Sequence, residues 1–243
     1  MKMLAFANRN AKEILRDPLN LAFGLGFPII LILLLTVIQN NIPVDLFEIS
    51  HLTPGISVFG LSFMTLFSAT MIAKDRETLL LARLYTTPLT GSDFIIGYTL
   101  PILPIALAQS AICYAFAMLL GLMPSVNVLF AVLLNVPAAI FFIALGLLCG
   151  SVFTDKQVGG ICGTLLTNLT AWLSGAWFDL ELVGGVFCKI ADLLPFVHAV
   201  KMGRAVLSGS YADIFPHLWW VLGYAVCAFA FAVIFFLRQM KKQ

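Results

Sequence analysis

Residues 94–154 read FIIGYTLPILPIALAQSAICYAFAMLLGLMPSVNVLFAVLLNVPAAIFFIALGLLCGSVFT and contain no Asp, Glu, Lys or Arg. A helix needs about 20 mostly apolar residues to cross the hydrocarbon core of a bilayer, so this run is too long for one crossing. Gly121, Pro124, Ser125 and Asn127 form a polar, turn-forming break near its middle. The run therefore predicts two membrane-spanning helices joined by a turn.

The rest of the chain has a similar composition. Hydrophobic residues make up 61% of the 243 positions, charged residues only 11%, and the mean hydropathy is +1.01, unlike a soluble globular domain. The apolar runs are continuous rather than alternating, which favours helices over a β-barrel. We predict an all-α membrane protein with one domain over residues 19–243. Its six spans lie at about 19–39, 53–73, 94–120, 128–151, 158–178 and 217–237.

Residues 1–18 have a different pattern. Charged residues alternate with a helix-spaced apolar stripe, which is typical of an amphipathic helix that lies in the headgroup plane. The stripe consists of Leu4, Ala7, Ala11, Ile14 and Leu15. The helix is expected to end at Asp17-Pro18, because the residue before a proline avoids the helical region. The pattern leaves open whether this helix is only an anchor or also contacts a cytoplasmic partner.

The distribution of Lys and Arg predicts the orientation in the membrane. Placing the N-terminus in the cytoplasm puts eleven of the fourteen Lys and Arg residues inside, with only Lys189, Lys201 and Arg204 outside. Both termini are therefore expected in the cytoplasm. The net charge of +2 reflects this topology and does not indicate a nucleic-acid partner.

The segment from Asp179 to Pro216 is the longest stretch outside the predicted spans. Its mixture of apolar and polar residues favours two short helices that dip back toward the membrane over a free loop. The five cysteines of the chain show no paired ligand spacing, so no metal site is predicted.

Two predicted spans carry polar stripes at helical spacing. Ser57, Thr65 and Ser68 lie in the second span, and the fifth span contains the set Thr164, Thr167 and Asn168. Each such residue alone more often hydrogen-bonds within its helix, but as stripes these six residues are the candidates for lining a substrate path. No charged residue is predicted at mid-membrane depth, which argues against an ion-coupled carrier and favours an amphiphilic cargo.

Small residues recur at four-residue spacing in the first and fifth spans. Ala22 and Gly26 form one such pair, and Gly159 and Gly163 form the other. This spacing allows close approach of helix backbones. It is also common by chance in membrane helices.

A charged island, Lys74 to Pro88, separates the second and third spans. Its charges and its Thr-Thr-Pro ending predict a short amphipathic helix in the cytosol. Leu80, Leu81 and Leu84 share one face of that helix. This face could bind a protein partner or rest on the membrane interface, and the residues alone favour neither.

The island also resembles a known family signature. The pattern Asp75-Arg76-Glu77-x-x-x-Leu81-x-Arg83-Leu84-x-x-Thr87-Pro88-Leu89 is similar to the loop after the second span of type-2 ATP-binding-cassette (ABC-2) exporter permeases. Arg16-Asp17-Pro18, Ser174-Gly175 and Leu194-Pro195-Phe196-x-x-Ala199-Val200 agree in order and spacing. This chain departs from the family pattern at three places. It has Leu79-Leu80 where the family often has Gly-Thr, Ala82 where the family often has a second Glu, and Leu194 where the family often has Asn before the Pro.

The resemblance implies a coupling helix that sits in a groove of a separate ATPase subunit, which binds ATP and Mg²⁺. Its coupling residues would be Arg76, Glu77, Leu80, Leu81, Arg83, Leu84 and Pro88. The chain has no Gly-x-x-x-x-Gly-Lys-Ser/Thr loop of its own, so its energy must come from such a partner. The resemblance also implies a dimer with a second copy or a paralogous permease. That dimer would meet through the first and fifth spans, which carry the small-residue pairs.

The expected function is that of the permease subunit of an exporter in a bacterial cell membrane, not an enzyme. Its cargo would be a drug, a lipid or an antimicrobial peptide, and the sequence does not select among them. Two alternatives stay open. One is a secondary carrier without an ATPase, and the other is an intramembrane hydrolase that pairs Ser57 with His198 or His217.

Overall fold

A computed structural model describes residues 2–43, 47–87 and 89–240, which form helices and no strand. Two segments, Ala22–Gly26 and Gly159–Leu166, are π-helical stretches within longer helices. The elements are α1 (Lys2–Leu15), α2 (Pro18–Gln39), α3 (Ile49–Glu77), α4 (Leu80–Tyr85), α5 (Gly91–Leu119), α6 (Val126–Val152), α7 (155–173), α8 (Leu180–Val183), α9 (Gly185–Leu193), α10 (Pro195–Leu207), a 3₁₀ turn (Tyr211–Asp213) and α11 (Ile214–Met240).

Among the described residues, five helices are long and apolar enough to cross a membrane: α2, α3, α5, α6 and α11. They confirm an all-α membrane protein. The fifth predicted span, 158–178, is not among them and is not confirmed, because α7 already ends at Leu173. Gly175 follows in a left-handed conformation (φ +68°), which turns the chain away from the helix.

Helix α3 lies at the centre of the bundle. It packs against α2, α5, α6, α7 and α10, while α11 packs on the far side of α6. The contact between α3 and α6 is close because of two glycines in α6. A Cβ placed on Gly146 would lie 2.6 Å from the Thr65 carbonyl oxygen, and one on Gly150 would lie 2.6 Å from that of Ala69. Only residues without a side chain fit at these two positions.

The segment predicted to form two outer helices contains three short ones, α8, α9 and α10. Helix α10 begins at Pro195, where the fixed proline φ suits a first helical turn. It packs against α3, α6 and α11. Leu182, Val183 and Val186 of α8 and α9 are exposed. Their insertion into the membrane stays a prediction.

Candidate functional site

Helices α1 and α4 lie at one end of the bundle, which we call the α1 end. The C-termini of α3 and α6 and the N-termini of α5 and α7 also lie there. The opposite end, the α10 end, contains α8, α9 and α10. Most of the predicted coupling residues lie at the α1 end.

Helix α1 is fixed to α5 by one aromatic residue and one amide. Phe6 is buried and makes edge-on contacts with Phe94 and Tyr98, at centroid distances of 5.5 and 5.0 Å. It fills the space that a side chain at Gly97 would need, since a Cβ there would lie 2.3 Å from the Phe6 ring. Asn10 is fully buried and donates to the Gly97 carbonyl oxygen at 2.9 Å. Of the predicted apolar stripe of α1, Ala7 and Ile14 are buried against protein, whereas Leu4 and Leu15 are exposed.

A buried carboxylate connects α1, α3 and α5. Asp75 is 2% exposed and accepts two hydrogen bonds from the Arg9 guanidinium, at 2.5 and 2.7 Å, and a third from the Tyr98 hydroxyl at 2.9 Å. Such a bidentate, charge-assisted pair fixes both position and angle. Arg9 also pairs with Glu13 at 2.5 Å. Partial burial raises the pKa of the Glu13 carboxyl, although Arg9 opposes that shift.

The next two residues connect α3 to α6 and α7. Arg76 donates to the carbonyl oxygens of Ser151 and Phe153, at the C-terminal end of α6. Those carbonyls have no helical partner, and a cation satisfies them well. The Glu77 carboxylate accepts from the Asp155 backbone N–H at 2.9 Å, at the start of α7. Residues 75–77 therefore join the end of α3 to four other helices.

Helix α4 begins with a strained residue. Leu79 has φ +58°, is 63% exposed, and occupies the position where the resembling family often has glycine. Leu81 is 2% exposed and packs in the core, so it does not contribute to the exposed leucine face that helical spacing predicts. Leu80 and Leu84 are half-buried and line a groove of about 400 Å³ between α4 and α1. Arg83 is exposed. Pro88 lies outside the described residues.

The polar residues predicted in the second span lie between helices. Ser57, Thr65 and Ser68 are all fully buried. Thr65 donates to the Phe142 carbonyl oxygen at 2.8 Å and Ser68 donates to that of Ile143 at 3.3 Å, both across to α6. Ser57 accepts from the Asn135 amide at 2.9 Å. In this conformation the stripe holds α3 against α6.

The polar residues of α7 are placed differently. Thr164 and Asn168 are exposed on its outer face, and Asn168 donates to the Thr164 carbonyl oxygen at 2.8 Å. Thr167 is buried and donates to the Cys162 carbonyl oxygen at 3.0 Å, five residues earlier, as π-helical geometry allows. The structure does not bring the α3 and α7 stripes together.

The four small residues predicted to pack in a dimer lie on the π-helical stretches. Ala22 and Gly159 are exposed, and Gly26 is partly exposed. A Cβ on Gly26 or Gly159 would have no heavy atom within 4 Å, whereas one on Gly163 would lie 3.5 Å from Leu66. Three of these positions are therefore open on the outer surface of the chain.

The histidines of the hydrolase alternative lie at the α10 end. His198 Nε2 is 2.9 Å from the Asp192 carbonyl oxygen, and its Nδ1 is 2.9 Å from His217 Nδ1. Because a carbonyl only accepts, His198 must donate through Nε2 and accept from His217 when both rings are neutral. Burial lowers the pKa of the His198 imidazole. Ser57 bonds to Asn135 instead, so the described residues contain no Ser–His pair of the kind a hydrolase needs.

Sequence reasoning missed the roles of Arg9 and Tyr98. Both lie far from Asp75 along the chain, and their contacts depend on how α1 and α5 pack. One signal was present: Arg9 is a long cation on the polar side of α1, and Asp75 is an acid at the end of a span. Buried charges near a membrane are usually paired, so a partner for Asp75 could have been sought.

Residues 1–208 match the family described as ABC-2 type transporter. None of the curated proteins compared with the chain matches it. The family match covers α1 to α10, including both ends of the bundle and all the motifs quoted for the resemblance.

Proposed function

This chain belongs to the ABC-2 type transporter family, and we propose that it exports an amphiphilic substrate with energy supplied by a separate ATPase subunit. The substrate would be a drug, a lipid or an antimicrobial peptide. ATP and Mg²⁺ would bind to the partner, since the chain has no phosphate-binding loop. The α1 end would face the cytoplasm, as the Lys and Arg distribution favours.

The hydrogen bonds of residues 75–77 carry this proposal. Asp75 holds α1 and α5, Arg76 holds α6, and Glu77 holds the start of α7. A force applied to α4 would reach all of these helices through α3, because packed helices move as rigid bodies. A mere connecting loop would not need three adjacent charged residues with long-range partners.

The docking surface for the ATPase would be the outer side of α4 and the groove beside it. Leu79 and Arg83 are exposed there, and Leu80 and Leu84 line the groove. Leu81 would act from the inside, by holding α4 on the bundle. The coupling role of Arg76 and Glu77 would likewise be internal.

The substrate path would lie between two copies of the chain, or between this chain and a paralogous permease. The open small residues of α2 and α7 are suited to a close contact with the second subunit. Thr164 and Asn168 are exposed beside them and could border the path directly. Ser57, Thr65 and Ser68 could do so only after α3 separates from α6.

Reconstitution tests the proposal. The chain and its ATPase are purified together and placed in lipid vesicles, and ATP hydrolysis is measured with and without the permease. Replacing Arg83 and Leu84 with glutamate should reduce the permease-dependent ATPase rate at least about tenfold, as expected for central interface residues. The matched control Arg238→Glu, an exposed cation at the end of α11, should leave the rate unchanged.

Undiminished stimulation in the Arg83→Glu/Leu84→Glu variant would show that α4 is not the docking surface. ATP-independent transport by the chain alone would instead favour the secondary carrier. These two outcomes are distinguishable because the first measures hydrolysis and the second measures substrate movement without ATP.

A further inference from the structure

Arg204 at the α10 end has a buried charge that the chain neutralises only weakly. Its side chain is 18% exposed. Nε donates to the His51 carbonyl oxygen at 3.0 Å and one terminal nitrogen donates to the Gly175 carbonyl oxygen at 2.8 Å. The nearest carboxylate, Asp179, is 3.9 Å from the other terminal nitrogen. Burial lowers the pKa of this guanidinium to about 10, so it remains charged at neutral pH.

A cavity of about 300 Å³ lies against this guanidinium. Its other cation, Lys201, pairs with Asp192 at 2.9 Å, and that pair holds the pKa of the Asp192 carboxyl below its usual range. Ser174 also lines the cavity, and its fully buried hydroxyl has no hydrogen-bond partner in the described part of the chain. Arg204 and Ser174 therefore have donor capacity that the protein does not use.

The opposite charge is found at the entrance of the same cavity. Asp179 is 59% exposed and Glu181 is exposed as well, so both carboxylates are nearer to solvent than Arg204. The cavity thus has a cation on its inner side and two carboxylates at its rim. With Asp192 included, three carboxylates and two cations line it. An anion alone would be repelled by the rim, and a cation alone would leave the guanidinium uncompensated.

We propose that this cavity binds a zwitterionic group, with its anionic end at Arg204 and Ser174 and its ammonium end at Asp179 and Glu181. A phosphoethanolamine group has this charge order. The role of this cavity in transport rests on the proposed function. In an exporter, the cavity would hold the headgroup of the amphiphilic substrate at the outer side of the membrane. Leu180 of α8 and Cys188 of α9 line the cavity, and the exposed apolar residues of the same two helices would contact the chains of the amphiphile.

The test is calorimetric titration of the full-length protein in detergent with short-chain probes. Dihexanoyl phosphatidylethanolamine should bind about tenfold or more tightly than dihexanoyl phosphatidylglycerol, which lacks the ammonium group. Asp179→Asn/Glu181→Gln removes the rim charges at exposed positions, and the unfolding midpoint checks its folding because Asp179 is also the carboxylate nearest to Arg204. This variant should abolish that preference. Asp213→Asn, an exposed carboxylate at the same end outside the cavity, should retain it.

Free phosphoethanolamine distinguishes the two sources of the group. If it competes with the lipid probe at similar concentrations, the site takes a soluble zwitterion, and if only the lipid binds, the site takes a headgroup. Equal binding of the zwitterionic and anionic lipids, or an unchanged preference in the rim variant, would overturn the proposal. The ATPase measurement above does not involve this cavity, so failure here would leave the proposed coupling intact.

Discussion

Helices α2 and α3 are both long enough to span the membrane, yet they are used in opposite ways. The apolar segment of α2 has a mean hydropathy of 2.7, and 17% of it is buried within the chain. The apolar segment of α3 has a mean hydropathy of 1.8, and 89% of it is buried. The less hydrophobic helix is therefore the more buried one. In water the reverse would be expected.

The difference follows from the solvent. Lipid is as apolar as a leucine side chain, so burial within protein gives no hydrophobic gain, and helices associate through close packing and hydrogen bonds. Helix α3 carries serines and threonines that can bond across to α6, and α6 carries glycines that allow the approach. Helix α2 offers leucines and isoleucines to its surroundings. Within a membrane, a polar stripe therefore indicates contact with protein, and a high hydropathy indicates contact with lipid.

The largest loss of folding stability is expected from Gly146→Leu in α6. The new side chain would overlap the α3 backbone, since even a Cβ would lie 2.6 Å from the Thr65 carbonyl oxygen. A substitution that separates two central helices should cost about 3 kcal/mol or more. Thermal unfolding in detergent, followed by tryptophan fluorescence, should show a large drop in the midpoint or no folded protein.

Gly159→Leu is the matched control, because a Cβ there meets nothing within 4 Å. The isolated chain should keep its midpoint, while any dimer formed through α7 should weaken in size-exclusion chromatography. Equal destabilisation by the two leucines would contradict the contrast between a protein-facing and an outward-facing helix.

The second-largest loss of folding stability is expected from Asp75→Ala, at the end of α3. It removes a buried carboxylate and leaves the Arg9 guanidinium and the Tyr98 hydroxyl without their shared partner. Breaking a fully buried pair costs about 3–5 kcal/mol, but Arg9 is 37% exposed, so about 2 kcal/mol is more appropriate. Denaturation in detergent measures the loss. Glu13→Gln, which removes only the half-buried partner of Arg9 within α1, should cost less than about 0.5 kcal/mol.

Five of the spans could be predicted from sequence because length and apolarity are strict requirements of the bilayer. The fifth predicted span, 158–178, is not confirmed, since α7 ends early at Leu173 and the end of a helix depends on the surrounding packing. Residues such as Ser57, Thr65 and Ser68 were ambiguous for another reason. A polar stripe on a membrane helix looks the same in sequence whether it faces a path or a neighbouring helix, and only the position of α6 decides.

The same limit applies to the island. Its charges single out residues 74–88 in the sequence, but the helical period alone does not tell which leucine faces the bundle. Leu81 is buried because α4 turns back against the end of α3, and that turn depends on the left-handed conformation of Leu79. The pairing of Arg9 with Asp75 spans 66 positions and has no local signature.

A smaller loss of stability is expected when the pH is lowered. It acts through His198 on α10, the helix that packs on α3. Burial lowers the pKa of His198, so its neutral form is favoured in the folded protein. Asp192, Lys201 and Asp213 are the charged groups near this pair of rings. The contribution of the neutral His198 ring to stability should be fully present above the unfolded pKa of about 6.5. It should decrease as the pH falls below that value, because the unfolded chain takes up the proton more readily.

The measurement is the unfolding midpoint at pH 8 and at pH 5. A proton on His198 Nδ1 would also face the His217 N–H, which removes the bond between α10 and α11. His198→Gln should flatten the dependence between these values relative to the unmodified chain. A slope that persists in this variant would assign the titration to another group.

The smallest effect is expected at Leu79, where α3 gives way to α4. An L-residue in the left-handed region costs about 1–2 kcal/mol, and glycine does not have this cost. Leu79→Gly should therefore stabilise the chain by about 0.5–1 kcal/mol, after allowing for the greater entropy of glycine in the unfolded state. Leu79→Ala should not, since it keeps the Cβ that causes the strain while it removes the exposed side chain. If alanine and glycine stabilise equally, the exposed leucine rather than the backbone is responsible. If only glycine stabilises, and ATPase stimulation falls in both variants, then this chain retains a strained leucine because its side chain contacts the partner.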